Sequence, residues 1–181
     1  MTNKNSEIAV FGGGCFWCTE AVFQSLKGVS SVVPGYAGGA VDDPNYIDVS
    51  QGNTGHAEVV RIEFDPNVIS FDKLLEVFWS VHNPTSLNRQ GNDVGEQYRS
   101  VILYTTDLQK EIAENSKKNL SSSGQYDSPI VTEIEPLDIF FEAENYHKNY
   151  YMNHKDDAYC EVVINPKLQK LVEKFPKLIE G

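Results

Sequence analysis

Residues 7–26 read EIAVFGGGCFWCTEAVFQSL. The apolar run Glu7–Phe11 predicts a short strand, and Gly12-Gly13-Gly14 predicts a tight turn after it. Cys15 then opens a segment with helical spacing, Phe16, Glu20, Phe23 and Leu26, which Gly28 closes. A strand that runs through glycines into a helix exposes whatever residue opens that helix. Here it is a thiol. The helix N-terminus favours an anion and lowers a cysteine pKa towards ~3.5–7.5, so Cys15 reads as a candidate nucleophile. The plain alternative is a structural cysteine that only caps the helix. No Gly-Lys-Ser/Thr follows the glycines, so they do not make a phosphate loop.

Working outward, Val29–Val33 reads as a second strand. Residues 34–55 are rich in Gly, Pro, Asn and Asp and predict a long irregular loop, which inside a compact domain is usually functional. Ala57–Phe64 alternates and reads as a half-buried strand. Ser70 caps a helix over Phe71–Val81, with Leu74, Leu75, Phe78 and Trp79 as its apolar stripe. His82–Gln97 is loop, Val101–Tyr104 a strand, and Asp107–Leu120 a polar amphipathic helix. Ile130–Ile134 reads as a strand, Ala143–Met152 as a helix and Lys167–Phe175 as an amphipathic tail segment. This order predicts an α+β two-layer sandwich with a split βαβ, ferredoxin-like core, long active-site loops and an irregular C-terminal tail. A polar tail, 1–6, precedes one catalytic domain, 7–181.

The chain has 181 residues and a formal net charge of -11. That excess of acid repels phosphate, so neither nucleic acid nor an anionic membrane surface is an expected partner. The first apolar run is far too short for a signal peptide or a membrane span. The expected compartment is the cytoplasm, and the expected state a monomer. Three cysteines do not make a disulfide framework. An odd count with a Cys-x-x-Cys pair, Cys15 and Cys18, points to redox or metal chemistry.

Phe16 and Trp17 follow the candidate nucleophile. Adjacent helical residues point in different directions, so at least one should line the site, where an aromatic ring can hold a thioether or methyl group. Alternation along Ala57–Phe64 puts Glu58 on the face of Val60, Ile62 and Phe64. A carboxyl on that apolar side has a raised pKa and suits a general acid. His-Ala-Glu with Cys-x-x-Cys also invites a zinc deaminase reading, but there the His-x-Glu precedes a Pro-Cys-x-x-Cys, and here the order is reversed. Residues 89–100 form a dense polar loop with acidic, amide and phenol groups.

Taken together, Gly14–Glu20, Gly35-Tyr36-Ala37-Gly38-Gly39, Pro44-Asn45-Tyr46, Gly55-His56-Ala57-Glu58, His82-Asn83-Pro84-Thr85, Arg89–Ser100 and Tyr159-Cys160 resemble the A-type peptide methionine sulfoxide reductases. The likeness runs from about Phe11 to Phe175. It implies that Cys15 is the nucleophile and that Phe16 and Trp17 hold the substrate's S-methyl group. Glu58 would protonate the sulfoxide oxygen, with Tyr46 and Tyr98 as hydrogen-bond donors to it. Asp93 and His56 would join the substrate-binding residues. The family acts on the S epimer of the sulfoxide, free or in oxidised proteins, and is regenerated by thioredoxin. Two features depart from its commonest pattern. Position 18 is Cys where many members have Gly, and no extra cysteine sits in a Gly-rich tail. Cys18 and Cys160 therefore both stand as partners for an intramolecular disulfide with the Cys15 sulfenic acid.

No metal, flavin or nucleotide cofactor is needed for this chemistry. Two other readings compete. A thiol–disulfide oxidoreductase would use Cys15–Cys18 alone, without Glu58 and the tyrosines. A non-catalytic module with an aromatic cage would need no thiolate.

Overall fold

The computed structural model describes residues 5–180. The first four residues of the expected polar tail, and Gly181, lie outside them.

β1 (Glu7–Gly12) runs into α1 (Phe16–Gln24) and returns as β2 (Val29–Ala37). A short helix, α2 (Tyr46–Ser50), interrupts the following loop before β3 (Ala57–Phe64) and α3 (Phe71–Val81). A small hairpin, β4 (Arg89–Gln90) and β5 (Asp93–Val94), leads to β6 (Val101–Tyr104) and α4 (Asp107–Ser122). β7 (Glu133–Pro136), β8 (Phe141–Glu142), α5 (Tyr150–Asn153) and α6 (Asn165–Lys174) complete the order. The main sheet has the order β7-β6-β1-β3-β2-β8. Its pairs are antiparallel, except that β6 and β7 are parallel. The architecture is a mixed α/β fold around one central mixed sheet.

One face of the sheet carries Ala9, Phe11, Tyr36, Val60, Ile62, Phe64 and Ile102, which pack against Val22 and Phe23 of α1 and Leu74, Leu75 and Phe78 of α3. Burying one such large apolar side chain contributes about 1.5–3 kcal/mol. Val10, Ala37, Val59, Val101 and Leu103 form the other face, covered in part by Leu137 and Phe140. α3 begins where expected: the Ser70 side chain accepts the Lys73 N–H at 3.1 Å.

Three stretches differ from the sequence reading. β2 continues to Ala37, because Pro34 through Ala37 pair with β3 in place of starting the loop. The strand expected at Ile130–Ile134 is β7, shifted to Glu133–Pro136 by its parallel register with Val101–Tyr104. The helix expected over Ala143–Met152 is broken. A single 3-10 turn, Asn145–His147, and the four-residue α5 are separated by Asn149 in the left-handed region at φ 55°. No helix among the described residues is long and apolar enough to cross a membrane.

The topology gathers chemistry at one end of the sheet. The C-terminal ends of β1 and β2 lie beside the N-terminal ends of β3 and β6: Gly12 is opposite Val101, and Tyr36 is opposite Glu58.

Candidate active site

Gly13 and Gly14 carry the chain from β1 to α1 under tight constraint. A Cβ on Gly13 would meet Phe78 and His82 at 3.1 Å. Gly14 adopts φ +96°, and a Cβ there would meet the Gln90 side chain at 3.0 Å. Cys15 follows as the N-cap of α1, its carbonyl accepting the Cys18 N–H at 3.1 Å. The thiol is partly exposed. It opens, with Cys18, onto a groove of about 810 Å³ bordered by Gln90, Asp93, Tyr159 and Lys167.

The electrostatics correct one expectation. Burial, a hydrogen bond to Cys18 and the charge of Glu58 push the Cys15 thiol up, and the Trp17 N–H pulls it back only in part. The Cys18 thiol moves the other way. The Cys15 S–H hydrogen bond brings it down to about 7 against the cost of burial, helped by the charge of Lys167 and by the Tyr159 hydroxyl 3.5 Å away. The helix N-terminus is outweighed at Cys15 chiefly by burial, with the second sulfur and the Glu58 charge adding to it.

Glu58 lies where alternation placed it, 1% exposed. One carboxylate oxygen accepts the Phe16 N–H at 3.2 Å. Burial raises the carboxyl to about 8 despite that N–H, and the charge on Asp93 adds to the rise. Tyr46 and Tyr98 both sense the charges of Glu58 and Cys15, so the four groups share one pocket. Burial holds both phenols protonated, Tyr46 up to about 12 and Tyr98 well above its usual range. Among the described residues neither hydroxyl has a hydrogen-bond partner, so both are unspent donors.

Phe16 is fully buried against Tyr36 and His147, with ring centroids 5.6 and 5.0 Å away. Trp17 is partly exposed. Its indole N–H donates to His147 Nδ1 at 3.0 Å, its face lies 3.7 Å from the Tyr150 ring, and Tyr159 meets it edge-on. Asp93 accepts the Tyr159 hydroxyl at 2.8 Å. Cys160 is buried behind Cys18 in a small apolar cluster with Ala21 and Ile164. Its pKa is raised, chiefly by burial. His56 stands apart. Its ring takes the Gly39 N–H at 3.0 Å, lies 2.6 Å from the Val41 carbonyl and meets Phe141 edge-on, so it ties down the loop after β2.

A partly exposed thiol, a protonated carboxyl, two free phenols and an aromatic wall meet in this one pocket. The family model for peptide methionine sulfoxide reductase matches residues 7–178. The chain belongs to the peptide methionine sulfoxide reductase family. It is an oxidoreductase of that class. A relative from Natronomonas pharaonis, peptide methionine sulfoxide reductase MsrA, is 52% identical over 173 residues, covering 96% of this chain and 97% of its own. The reduced form of Mxr1 from Saccharomyces cerevisiae superposes with a TM-score of 0.78 at 32% identity, over 86% of this chain and 90% of that one. Mxr1 in complex with Trx2 shares the fold, with a TM-score of 0.55 at 23% identity, over 82% of this chain and 90% of that one.

For a reductase of this family, the sequence reading gave no role to four positions around these groups, of which only Tyr159 stood in a quoted motif. Glu144 accepts the Tyr46 N–H at 3.0 Å and the Tyr36 hydroxyl at 3.0 Å, so it sets where Tyr46 starts α2. His147 and Tyr150 orient Trp17, and Tyr159 links Cys18 to Asp93. For His147 and Tyr150 the signal available was the aromatic density of 146–151, YHKNYY.

Proposed function

We propose that this chain reduces the S epimer of methionine sulfoxide, free or in oxidised proteins, with Cys15 as nucleophile and Glu58 as general acid. The observation that carries the reading is the convergence of the neutral Glu58 carboxyl and the unspent Tyr46 and Tyr98 hydroxyls on the pocket of Cys15. A sulfoxide oxygen gains negative charge as its sulfur is attacked. Three donors aimed at that oxygen favour the transition state over the ground state.

Phe16 and Trp17 hold the S-methyl group, and Asp93 helps to hold the substrate backbone. His56 contributes through the loop it ties down. Cys15 passes its proton along the shared hydrogen bond to Cys18 and attacks the sulfoxide sulfur. The oxygen, protonated by Glu58, ends on Cys15 as a sulfenic acid, and methionine leaves. A second thiol, Cys18 or Cys160, then attacks the Cys15 sulfur. Water departs and a disulfide remains, which an external dithiol reduces. Thioredoxin is the proposed reductant, and the fold shared with the Trx2-bound Mxr1 supports it. The open groove beside Cys15 and Cys18 gives that dithiol access.

Three further readings accompany this one. The strand order β6-β1-β3-β2, with α1 and α3 in the connections, supports a split βαβ, ferredoxin-like core. The family match over 7–178 supports one catalytic domain over 7–181. Three free thiols suit the cytoplasm.

The deciding assay supplies each sulfoxide epimer separately with a dithiol, using wild type and Cys15→Ser. Turnover of the S epimer alone, absent in the variant, is the expected result. Wild-type turnover by Cys15→Ser ends the proposal.

A further inference from the structure

α1 holds one distant stretch of chain with three side chains. Trp17, Glu20 and Gln24 sit at i, i+3 and i+7 and so share a helix face. The Trp17 indole lies flat on the Tyr150 ring, 3.7 Å away at an interplanar angle of 5°. Glu20 Oε2 accepts the Asn149 N–H at 3.1 Å, and the same carboxyl takes the Tyr150 N–H. Gln24 Nε2 donates to Asn149 Oδ1 at 2.8 Å.

The gripped segment needs outside support. α5 has four residues and no side-chain N-cap of its own. A helix that short does not persist alone. Asn149, just before it, holds the left-handed conformation that breaks the chain between the 3-10 turn and α5. The Asn149 side chain, the usual source of a cap, is spent on Gln24. Glu20 supplies the missing acceptor from another element. It does so at a cost: the residue is 1% exposed, and Oε1 has no partner among the described residues. Burial pushes the carboxyl up to about 7, against the pull of the two N–H groups. A buried carboxyl with no ion pair among the described residues is a poor choice for packing alone. Its placement makes sense as a clamp on the two residues that carry the Tyr150 ring.

We propose that Glu20 is a positioning residue for the methyl-binding wall: it fixes Asn149 and Tyr150 from α1 so that the Tyr150 ring sets the Trp17 indole, and Gln24 shares this grip. The inference rests on Trp17 being a wall of the substrate pocket, as proposed above.

The test measures KM and kcat for methionine sulfoxide and the emission of Trp17, isolated by difference against Trp17→Phe. Glu20→Ala should raise KM about tenfold, the cost of one lost buried acceptor, with kcat changed far less. Trp17 emission should shift. Glu20→Gln should restore both, because its amide oxygen still accepts the Asn149 N–H. Gln24→Ala should shift both in the same direction by less. If Glu20→Ala folds with KM and Trp17 emission unchanged, the clamp is wrong. Failure of Glu20→Gln to restore either quantity also overturns it. Should Glu20→Ala not fold, Gln24→Ala decides, and an unmoved KM and emission there refute the proposal. A shifted emission in Glu20→Ala beside an unchanged KM in Trp17→Phe would leave the clamp standing and remove Trp17 from the pocket.

Discussion

The backbone N–H of Phe16 donates to a Glu58 carboxylate oxygen at 3.2 Å. The proposed acid is thereby tied to the residue that follows the proposed nucleophile, across 42 positions of sequence. The bond has two effects. It fixes the distance between thiol and carboxyl through one peptide unit. It also tempers the rise in the carboxyl's pKa, which stops at about 8. An acid near 8 is protonated at neutral pH and still gives up its proton when a sulfoxide oxygen becomes basic.

Glu58→Gln keeps the acceptor for Phe16 and loses the transferable proton. Methionine formation in a single turnover should slow ~10²–10⁴-fold, while substrate affinity changes little. In wild type the rate should fall as pH rises through about 8, because Glu58 then loses its proton. The variant should lack that limb. Stability carries the same signature. The folded pKa lies above the unfolded one, so the carboxyl favours the fold at low pH, and that advantage is lost as pH rises from about 4.5 through about 8. At pH 9 the variant should be the more stable protein. An unchanged rate and pH profile would make Glu58 purely structural.

Tyr46→Phe and Tyr98→Phe each remove one unspent donor without touching a hydrogen bond inside the protein. Each should lower kcat/KM, by up to ~10²-fold for a donor aimed at a developing oxyanion. The loss should lie in kcat more than in KM, because the oxygen is more negative in the transition state. The double variant should lose more than either alone. Full activity in the double variant would show that neither phenol meets the sulfoxide oxygen.

The parts of this site that were legible in the sequence are those that local periodicity controls. Alternation along Ala57–Phe64 put Glu58 on the face of Val60, Ile62 and Phe64, and the carboxyl is buried there. The strand, the glycines and the helix start put Cys15 at a cap. The acidity of Cys15 was misjudged for a physical reason. A helix start is one influence among several, and the opposing ones, burial first and then Cys18 and Glu58, arise only in the folded chain. The Trp17 wall was half visible. Trp17 itself stood out, but His147 and Tyr150 lie 130 or more residues away on segments too short to show a period. The position of β7 depended on parallel pairing with β6, which its own sequence does not encode.

Cys18 should react as a thiolate with a midpoint near 7 when iodoacetamide alkylation is followed across pH by mass spectrometry. Its lowered pKa means that reactivity rises as pH climbs through that value. Part of the lowering comes from Lys167. Among the described residues Lys167 has no carboxylate partner, so its charge is not already neutralised. Lys167→Met should therefore move the Cys18 midpoint upward and leave the Glu58 limb of the turnover profile in place. A midpoint that is the same in both proteins would remove Lys167 from the picture.

The Cys15 sulfenic acid should be resolved first by Cys18. The two sulfurs are already neighbours, and the charge of Lys167 and the Tyr159 hydroxyl still favour the Cys18 thiolate once Cys15 is oxidised. Cys160 is held back by burial, which raises its pKa, and it packs against Cys18 in the apolar cluster. That placement suits it to a second exchange, in which Cys160 attacks Cys18, frees Cys15 for another turnover and carries the disulfide towards α6. The measurement is peptide mapping after one turnover without reductant, sampled over time. A Cys15–Cys18 link should form first and give way to Cys18–Cys160. In Cys160→Ser the first link should persist. In Cys18→Ser disulfide formation should slow sharply, because Cys160 must then travel to Cys15 with its pKa still raised. A direct Cys15–Cys160 link appearing first in wild type would reverse the order. A stable sulfenic acid beside two free thiols would show that the external dithiol attacks Cys15 itself.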